Sequence, residues 1–251
     1  MRARRAKHGD LLDYERLLRS AFGHADPDYF AWQTRGAYVA EQERALVEAA
    51  FLPLGNRVLD LGCGQGATLL HLGARAGVTG VDLFLPRAHF AAVAVPGPKF
   101  LTASGLALPF RDGAFDHVVI RDVIHHLDHP AQVLEECARV LAPHGRLDVL
   151  EPCRLNPLIA LQGLLRPEER GELRSSEPFL KKLLAARFDV LRVQRLQPLP
   201  LHRVVLHPTM GSPSLGDHPI ASVVLGLTEH FAGRAIPSWA WAYLHLRATR
   251  R

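Results

Sequence analysis

Two stretches hold the residues with the most chemistry to offer. In the first, Val58-Leu59-Asp60-Leu61-Gly62-Cys63-Gly64-Gln65-Gly66, a short apolar run ends in three glycines at every second position. Such a loop has no side chains to block a ligand. Between a strand and a helix it aims backbone N–H groups, and the positive end of the helix dipole, at whatever sits above it. The second stretch is Arg121-Asp122-Val123-Ile124-His125-His126-Leu127-Asp128-His129, where three histidines and two acids lie within nine residues. Histidine titrates near neutral pH and suits proton transfer from a hydroxyl or an acidic carbon.

The glycine spacing narrows the ligand. A dinucleotide loop puts its third glycine three residues after the second. Here that place, counted from Gly64, belongs to Ala67, and the third glycine comes earlier, at Gly66. A second apolar run, Val78 to Leu83, contains an acid, Asp82, 20 residues after Gly62 (82 − 62). An acid at that strand tip is placed to accept hydrogen bonds from ribose hydroxyls. The ligand expected across the first two strands therefore carries a ribose.

The elements that must position these residues follow from periodicity. Strands are expected at 57–61, 78–82, 99–102, 116–121 and 146–150, with helices near 65–74, 86–94 and 130–141. This alternation gives a parallel sheet with helices on both faces, and ligands of such sheets bind at the carboxyl ends of the strands. The tips are Gly62 to Gly66, Asp82, residues 103–106, Arg121 to His126, and Glu151. Asp128 is the expected N-cap of the helix that has Pro130 in its first turn.

Upstream, residues 1–50 form a helical cap. Leu11, Leu12, Tyr14, Leu17 and Leu18 mark one amphipathic helix. Tyr29, Phe30, Trp32 and Tyr38 lead into a second, with Val39, Leu46 and Val47 on its apolar side. They pack against the core at 51–155, or Tyr29, Trp32 or Tyr38 face a substrate as part of a lid. Residues 156–251 complete the sheet, with a helix at 157–165, an exposed charged connection at 166–177, a helix at 178–186 capped by Ser176, and strands at 188–196 and 239–247. An insertion, 197–238, carries an apolar helix at 220–231 that either covers the sheet edge or walls a lipophilic substrate.

The segments VLDLGCGQG, VTGVDL, ALPFRDGAFDHVV and VIHHLDHPAQVLEECARVLAPHGRL, in this order between Val58 and Glu151, resemble the class I S-adenosylmethionine-dependent methyltransferases. The similarity is greatest to the small-molecule group that includes the ubiquinone and menaquinone C-methyltransferases. The resemblance implies an α/β fold, a doubly wound, mostly parallel, seven-stranded Rossmann-like sheet whose last two strands form a hairpin. It implies S-adenosyl-L-methionine as cofactor and a small organic acceptor methylated on oxygen, carbon or nitrogen, which the apolar helix at 220–231 would suit if it is lipophilic. Around the cofactor it places Asp60, Gly62, Cys63, Gly64, Gly66, Asp82, Leu83, Ser104, Gly105 and Arg121, with Asp60 orienting the glycine loop or receiving the ammonium of the methionine moiety. Ser104 stands where the family usually has an acid that accepts from the adenine amino group; a neutral acceptor contributes less. The family pattern puts His126 near the cofactor as the candidate base, with His125 and Glu151 behind it. No metal is expected, because metal-dependent members carry a different set of acids and asparagine.

Other readings share part of this pattern. A nicotinamide oxidoreductase is disfavoured by the glycine spacing. A nucleic-acid amino-methyltransferase usually shows (Asn/Asp/Ser)-Pro-Pro-(Tyr/Phe) after the fourth strand, where this chain has Arg121-Asp122-Val123-Ile124. A non-catalytic binder of the same cofactor is the third.

Composition sets the outer bounds. A chain of 251 residues suits one large domain or one with additions. Its 48% hydrophobic and 22% charged residues are ordinary for a globular protein, and no apolar run reaches the roughly 18 residues of a membrane span. MRARRAK lacks the apolar stretch of a secretory signal, so a cytoplasmic protein is expected. The net charge is +5, but Arg2, Arg4, Arg5 and Lys7 at one end and Arg247, Arg250 and Arg251 at the other leave −2 for the body. Solvated basic tails are expected, compatible with weak attraction to an anionic membrane or to nucleic acid; no aromatic-rich basic patch marks a nucleic-acid site. Cys63, Cys137 and Cys153 show no metal spacing and suit a reducing compartment.

Overall fold

A computed structural model describes residues 16–73, 76–209 and 211–251. The first expected helix falls largely outside the described residues, which are helical over 16–22 (α1). The basic stretch Arg2 to Lys7 lies outside them as well.

Seven strands make one sheet: β1 (Val58–Leu61), β2 (Val78–Asp82), β3 (Lys99–Thr102), β4 (Phe115–Arg121), β5 (Leu141–Pro152), β6 (Phe188–Leu196) and β7 (Tyr243–Arg250). Their order is β3-β2-β1-β4-β5-β7-β6. The strands from β3 to β5 run parallel, and β7 runs antiparallel to both β5 and β6. The expected fold class and closing hairpin are therefore present. Central strands buried on both faces read as unbroken apolar runs, as in Val118-Val119-Ile120, all at 0% exposure. Alternate residues of that run serve opposite faces. Val118 and Ile120 join the cluster with Val133, Cys137, Leu147 and Leu180, whereas Val119 joins Leu46, Phe51, Val58 and Leu69.

The faces are covered by α2 (Pro27–Thr34), α3 (Ala37–Phe51), α4 (Ala67–His71), α5 (Leu85–Ala94), α6 (Pro130–Val140), α7 (Pro157–Leu165) and α8 (Glu177–Leu184). Asn156 caps α7 by accepting from Leu158 N and Ile159 N. The expected cap of α6 is corrected. Pro130 is the first helical residue, so the N-cap position falls on His129, one residue after Asp128.

Three further expectations fail for tertiary reasons. Residues 166–177 are not simply an exposed connection: Pro167–Arg174 forms a 3-10 helix with Glu169 and Glu172 buried. The last strand begins at Tyr243, not at 239, because its pairing starts where β5 ends, Tyr243 opposite Pro152. Of the C-terminal arginines, Arg251 stays solvated beside Asp189, but Arg247 and Arg250 do not. Arg247 donates to Asp148 from Nε at 2.8 Å, and Arg250 donates from Nη1 to Leu141 O. No described helix is long and apolar enough to cross a membrane.

In the 197–238 segment, α9 (His202–Val205) and α10 (Pro219–Gly233) follow β6. Helix α10 exposes Ile220, Val223, Val224, Leu227 and Phe231. Glu229 anchors it, accepting from Tyr38 Oη at 2.7 Å and His202 N at 2.6 Å.

Candidate active site

The carboxyl ends of β1, β2 and β4 open into a cavity of about 750 Å³. Its walls include Phe22 of α1, Gly64, Asp82, His126, Glu169 and Arg203. The order of strands reverses between β1 and β4, where doubly wound sheets leave a ligand crevice.

The glycine loop spends most of its amides on the end of β2. Gly62 N and Cys63 N donate to Val81 O, Gly66 N donates to Cys63 O, and Gly64 N donates to Asp82 Oδ2 at 2.9 Å. The expectation that these amides all await a ligand is corrected; they lock the loop and aim Asp82. Phe84 N binds Asp82 Oδ1 at 2.9 Å. Each carboxylate oxygen thus keeps acceptor capacity for a hydroxyl, because an ionised carboxylate has about four lone-pair sites.

Gly62 and Gly64 are required where they stand. A Cβ on Gly62, at φ +75°, would lie 2.3 Å from Val123 Cγ2. A Cβ on Gly64, at φ +53°, would meet only Arg87 Nη1, at 3.7 Å, and would project into open space. That open cradle, beside an aimed Asp82, fits a ribose-bearing cofactor. Leu83, 60% exposed, and Cys63 also line the cavity. Beneath the loop lies Asp60, 1% exposed, whose Oδ2 lacks a hydrogen-bond partner among the described residues. Burial, reinforced by Asp82 and opposed by Arg121, pushes its carboxyl up to about 7. Gly66 packs under the loop, where a Cβ would lie 3.0 Å from Val95 Cγ2. At the third tip, Ser104 Oγ already accepts from Leu106 N at 3.2 Å. Ser104 and Gly105 lie outside the cavity wall just described.

The histidine stretch folds as a 3-10 turn, Ile124–His126. Glu151, 0% exposed, accepts from Val123 N, Ile124 N and His125 N and from His125 Nδ1 at 2.7 Å. Its carboxylate is fully committed and holds the turn; it does not line the cavity. Both histidines do, although only one was expected to. Burial opposes a charge on His125, but Glu151 and Glu169 outweigh it and keep its pKa high. Burial and the neighbouring charge of His125 bring His126 down to about 3. Their rings lie 3.9 Å apart, and Phe22 sits 4.9 Å from the His126 ring.

The cap residues divide. Gln65 clamps α2 to the glycine loop, accepting from Asp26 N at 2.9 Å and donating to Asp26 O at 2.8 Å. Arg87 stacks over Phe22 at 5.1 Å. Tyr29 lines the cavity; Trp32 is buried against His207, and Tyr38 faces a second hollow between α3 and α10. Helix α10 likewise borders that second hollow and not the crevice. At the cavity floor, Glu43 accepts from Arg121 Nη2 and from Arg203 Nη2 at 2.6 Å, so the Arg121 guanidinium is engaged by protein. Sequence reasoning missed Glu43, Gln65, Glu169, Glu172 and Arg203. Only the alternation of acids and arginines at 166–174 gave any signal, and solvated connections look the same.

Comparison with known proteins agrees with this geometry. Residues 59–149 match the family described as a methyltransferase domain. A demethylmenaquinone methyltransferase of Thermus thermophilus is 40% identical over 115 residues, 43% of this chain and 52% of that protein. A 27-O-demethylrifamycin SV methyltransferase of Amycolatopsis mediterranei is 32% identical over 128 residues, 46% of this chain and 47% of that protein. The chain thus spans about half the length of these relatives. Among solved structures, a methyltransferase of Thermotoga maritima, described as a possible histamine N-methyltransferase, superimposes with a TM-score of 0.63 at 19% identity, covering 95% of this chain and all of that one. A geranyl diphosphate methyltransferase in complex with S-adenosylmethionine gives 0.60 at 19% identity, covering 92% and 97%. The strand order and the glycine loop with its aimed acid give this chain the Rossmann-like fold of the class I methyltransferases, and its residues 59–149 are similar to a methyltransferase domain.

Proposed function

We propose that the chain moves a methyl group from S-adenosylmethionine to a small, lipophilic organic acceptor. The observation that carries this is Asp82, fixed by Gly64 N and Phe84 N at the edge of a cavity it shares with His126. When bound, the cofactor supplies a methyl group on a good leaving group, so the chain must mainly align the partners and exclude water. Asp82 accepts from the ribose hydroxyls, the open face of Gly64 receives the methionine end above Asp60, and Leu83 packs on the base, with Ser104 and Gly105 farther along the same edge. Arg121 supports this wall through Glu43. Helices α1 and α2 close the cavity from above, clamped by Gln65.

At the acceptor end we place His126, which reaches the cavity, with His125 and Glu151 as positioning residues that hold the turn. The small-molecule specificity of the named relatives supports this class of acceptor, as does a wall that includes Phe22, Tyr29, Leu127 and Ile159. Among the described residues the three thiols are buried and unpaired, which suits a cytoplasmic location. The exposed apolar side of α10 offers a weak peripheral contact for the membrane from which a lipophilic acceptor would come.

Calorimetry with S-adenosylmethionine tests the cofactor half. Asp82→Ala should weaken binding by about 1.5–3 kcal/mol, roughly ten- to 150-fold; unchanged affinity would remove Asp82 from the ribose site. For the acceptor half, His126→Ala should lower kcat by about tenfold or more and leave cofactor affinity intact. A kcat equal to wild type would take His126 out of the reaction. A panel of quinols, phenols and isoprenoid diphosphates, assayed for demethylated cofactor, identifies the acceptor.

A further inference from the structure

We propose that His125, His126 and Glu169 form a site for one divalent transition-metal ion, Zn²⁺ being the best suited, with an open position on the cavity. One ring nitrogen from each histidine and a carboxylate oxygen of Glu169 lie within 4.8 Å of one another. His125 Nε2 is 3.5 Å and His126 Nε2 3.6 Å from Glu169 Oε2. Ligand atoms about 2.0–2.1 Å from a tetrahedral ion sit about 3.3 Å apart, so small side-chain shifts close the site. His125 Nε2 is buried and has no hydrogen-bond partner among the described residues, on a residue 5% exposed. Glu169 satisfies that nitrogen only at ion-pair distance, so the ring and the carboxylate oxygen are aimed at a common point.

The support behind the ligands has the form that metal sites require. A metal-binding imidazole usually donates its second N–H to a carboxylate, which fixes its tautomer and orientation. Here His125 Nδ1 lies 2.7 Å from Glu151, an acceptor already held by three backbone amides. The carboxylate arm is positioned as firmly. Gly171 packs so closely that a Cβ there would lie 1.8 Å from His125 O, which brings the Pro167–Arg174 helix directly onto the histidine turn. Two imidazoles and one carboxylate favour Zn²⁺ or a neighbouring first-row ion; Mg²⁺ and Ca²⁺ prefer oxygen ligands throughout. Three protein ligands leave a fourth place for water or for a hydroxyl or amine of the acceptor. Glu172, 4% exposed with Oε2 unpartnered among the described residues, borders the same cavity. This inference goes beyond methyl transfer and does not depend on it.

The test uses tag-free protein incubated with Zn²⁺, dialysed and analysed for metal, because the other twelve of the fourteen histidines (14 − 2) could bind ions elsewhere. One tightly held equivalent is expected, removable by chelator and replaceable by Co²⁺ with visible d–d absorption of a site containing nitrogen ligands. Glu169→Gln and His126→Gln should each weaken binding by about tenfold or more, with S-adenosylmethionine affinity unchanged. Metal content well below one equivalent overturns the proposal. So does a stoichiometric ion whose affinity is the same in both variants, which would place it elsewhere. Should Glu169→Gln fail to fold, His126→Gln decides alone, since His126 makes none of the hydrogen bonds to Glu151.

Discussion

Glu43→Ala should lower folding stability by about 3–5 kcal/mol at neutral pH, the usual cost of removing one partner from a buried ion pair. Glu43 is 1% exposed on α3 and accepts from two guanidiniums, Arg121 at the tip of β4 and Arg203 in α9. Arg121 has a second acid, Asp122, at 3.3 Å, while Arg203 stacks over the Tyr243 ring at 4.9 Å. Without the Glu43 carboxylate, two charges remain in a wall that cannot solvate them. Burial alone would raise the Glu43 pKa, but Arg203 and Arg121 outweigh it and bring it down to about 2 from an ordinary 4.5. A depressed acid stabilises the fold above its unfolded pKa, and this contribution is lost as pH falls through the folded one. The gap between wild type and Glu43→Ala in urea unfolding should therefore be full above pH 4.5 and shrink toward pH 2. A gap under about 1 kcal/mol at pH 7 would mean that water, not Glu43, satisfies the arginines. Cofactor affinity should fall as well, because the same triad fixes the end of β4 beneath the cavity.

What could be read in the chain beforehand depended on sequence distance. The glycine loop and Asp82 were legible because the loop's backbone geometry must be encoded locally, and a strand tip 20 residues on is one supersecondary unit away. The use of the loop amides was not legible, since it took the actual turn to show Gly62 N and Cys63 N turning inward to Val81 O. Central strands were plain because burial on both faces leaves uninterrupted Val and Ile. The acidic segment 166–177 misled for the opposite reason. Its charges imitate a solvated connection, yet Glu169 finds histidines more than 40 residues earlier in the chain (169 − 125 = 44), and no local pattern records that pairing. The same holds for Arg203, 160 residues from its partner Glu43. Arg247 looked like part of a tail until β7 placed it beside Asp148. Glu151 reads as a strand tip, but its engagement with the 3-10 turn joins residues 26 to 28 positions apart, which no local pattern records.

Asp60→Asn should make the protein more stable, increasingly so as pH rises from about 4 to 7. The side chain is enclosed under the glycine loop, with Oδ2 unpartnered among the described residues. Burial, with help from Asp82 and against the pull of Arg121, moves its pKa from 3.8 to about 7. Across that window the unfolded chain has released the proton and the folded chain still holds it, so stability falls with rising pH and levels off above 7. A displacement of that size corresponds to a penalty on the order of 4 kcal/mol at alkaline pH. Asparagine has nearly the same shape and no proton to lose, so its curve should lack this decline. Urea unfolding of both proteins between pH 4.5 and 8.5 measures the difference; a gap that does not change with pH would show Asp60 to be an ordinary solvated carboxylate. The same residue explains why a chain would keep so costly a group. A cationic ammonium lodged above the loop favours the ionised form, so binding of S-adenosylmethionine near pH 6 should release a proton, read by calorimetry in buffers of different ionisation enthalpy. Asp60→Asn should abolish that release and weaken the cofactor, trading affinity for stability at one buried position.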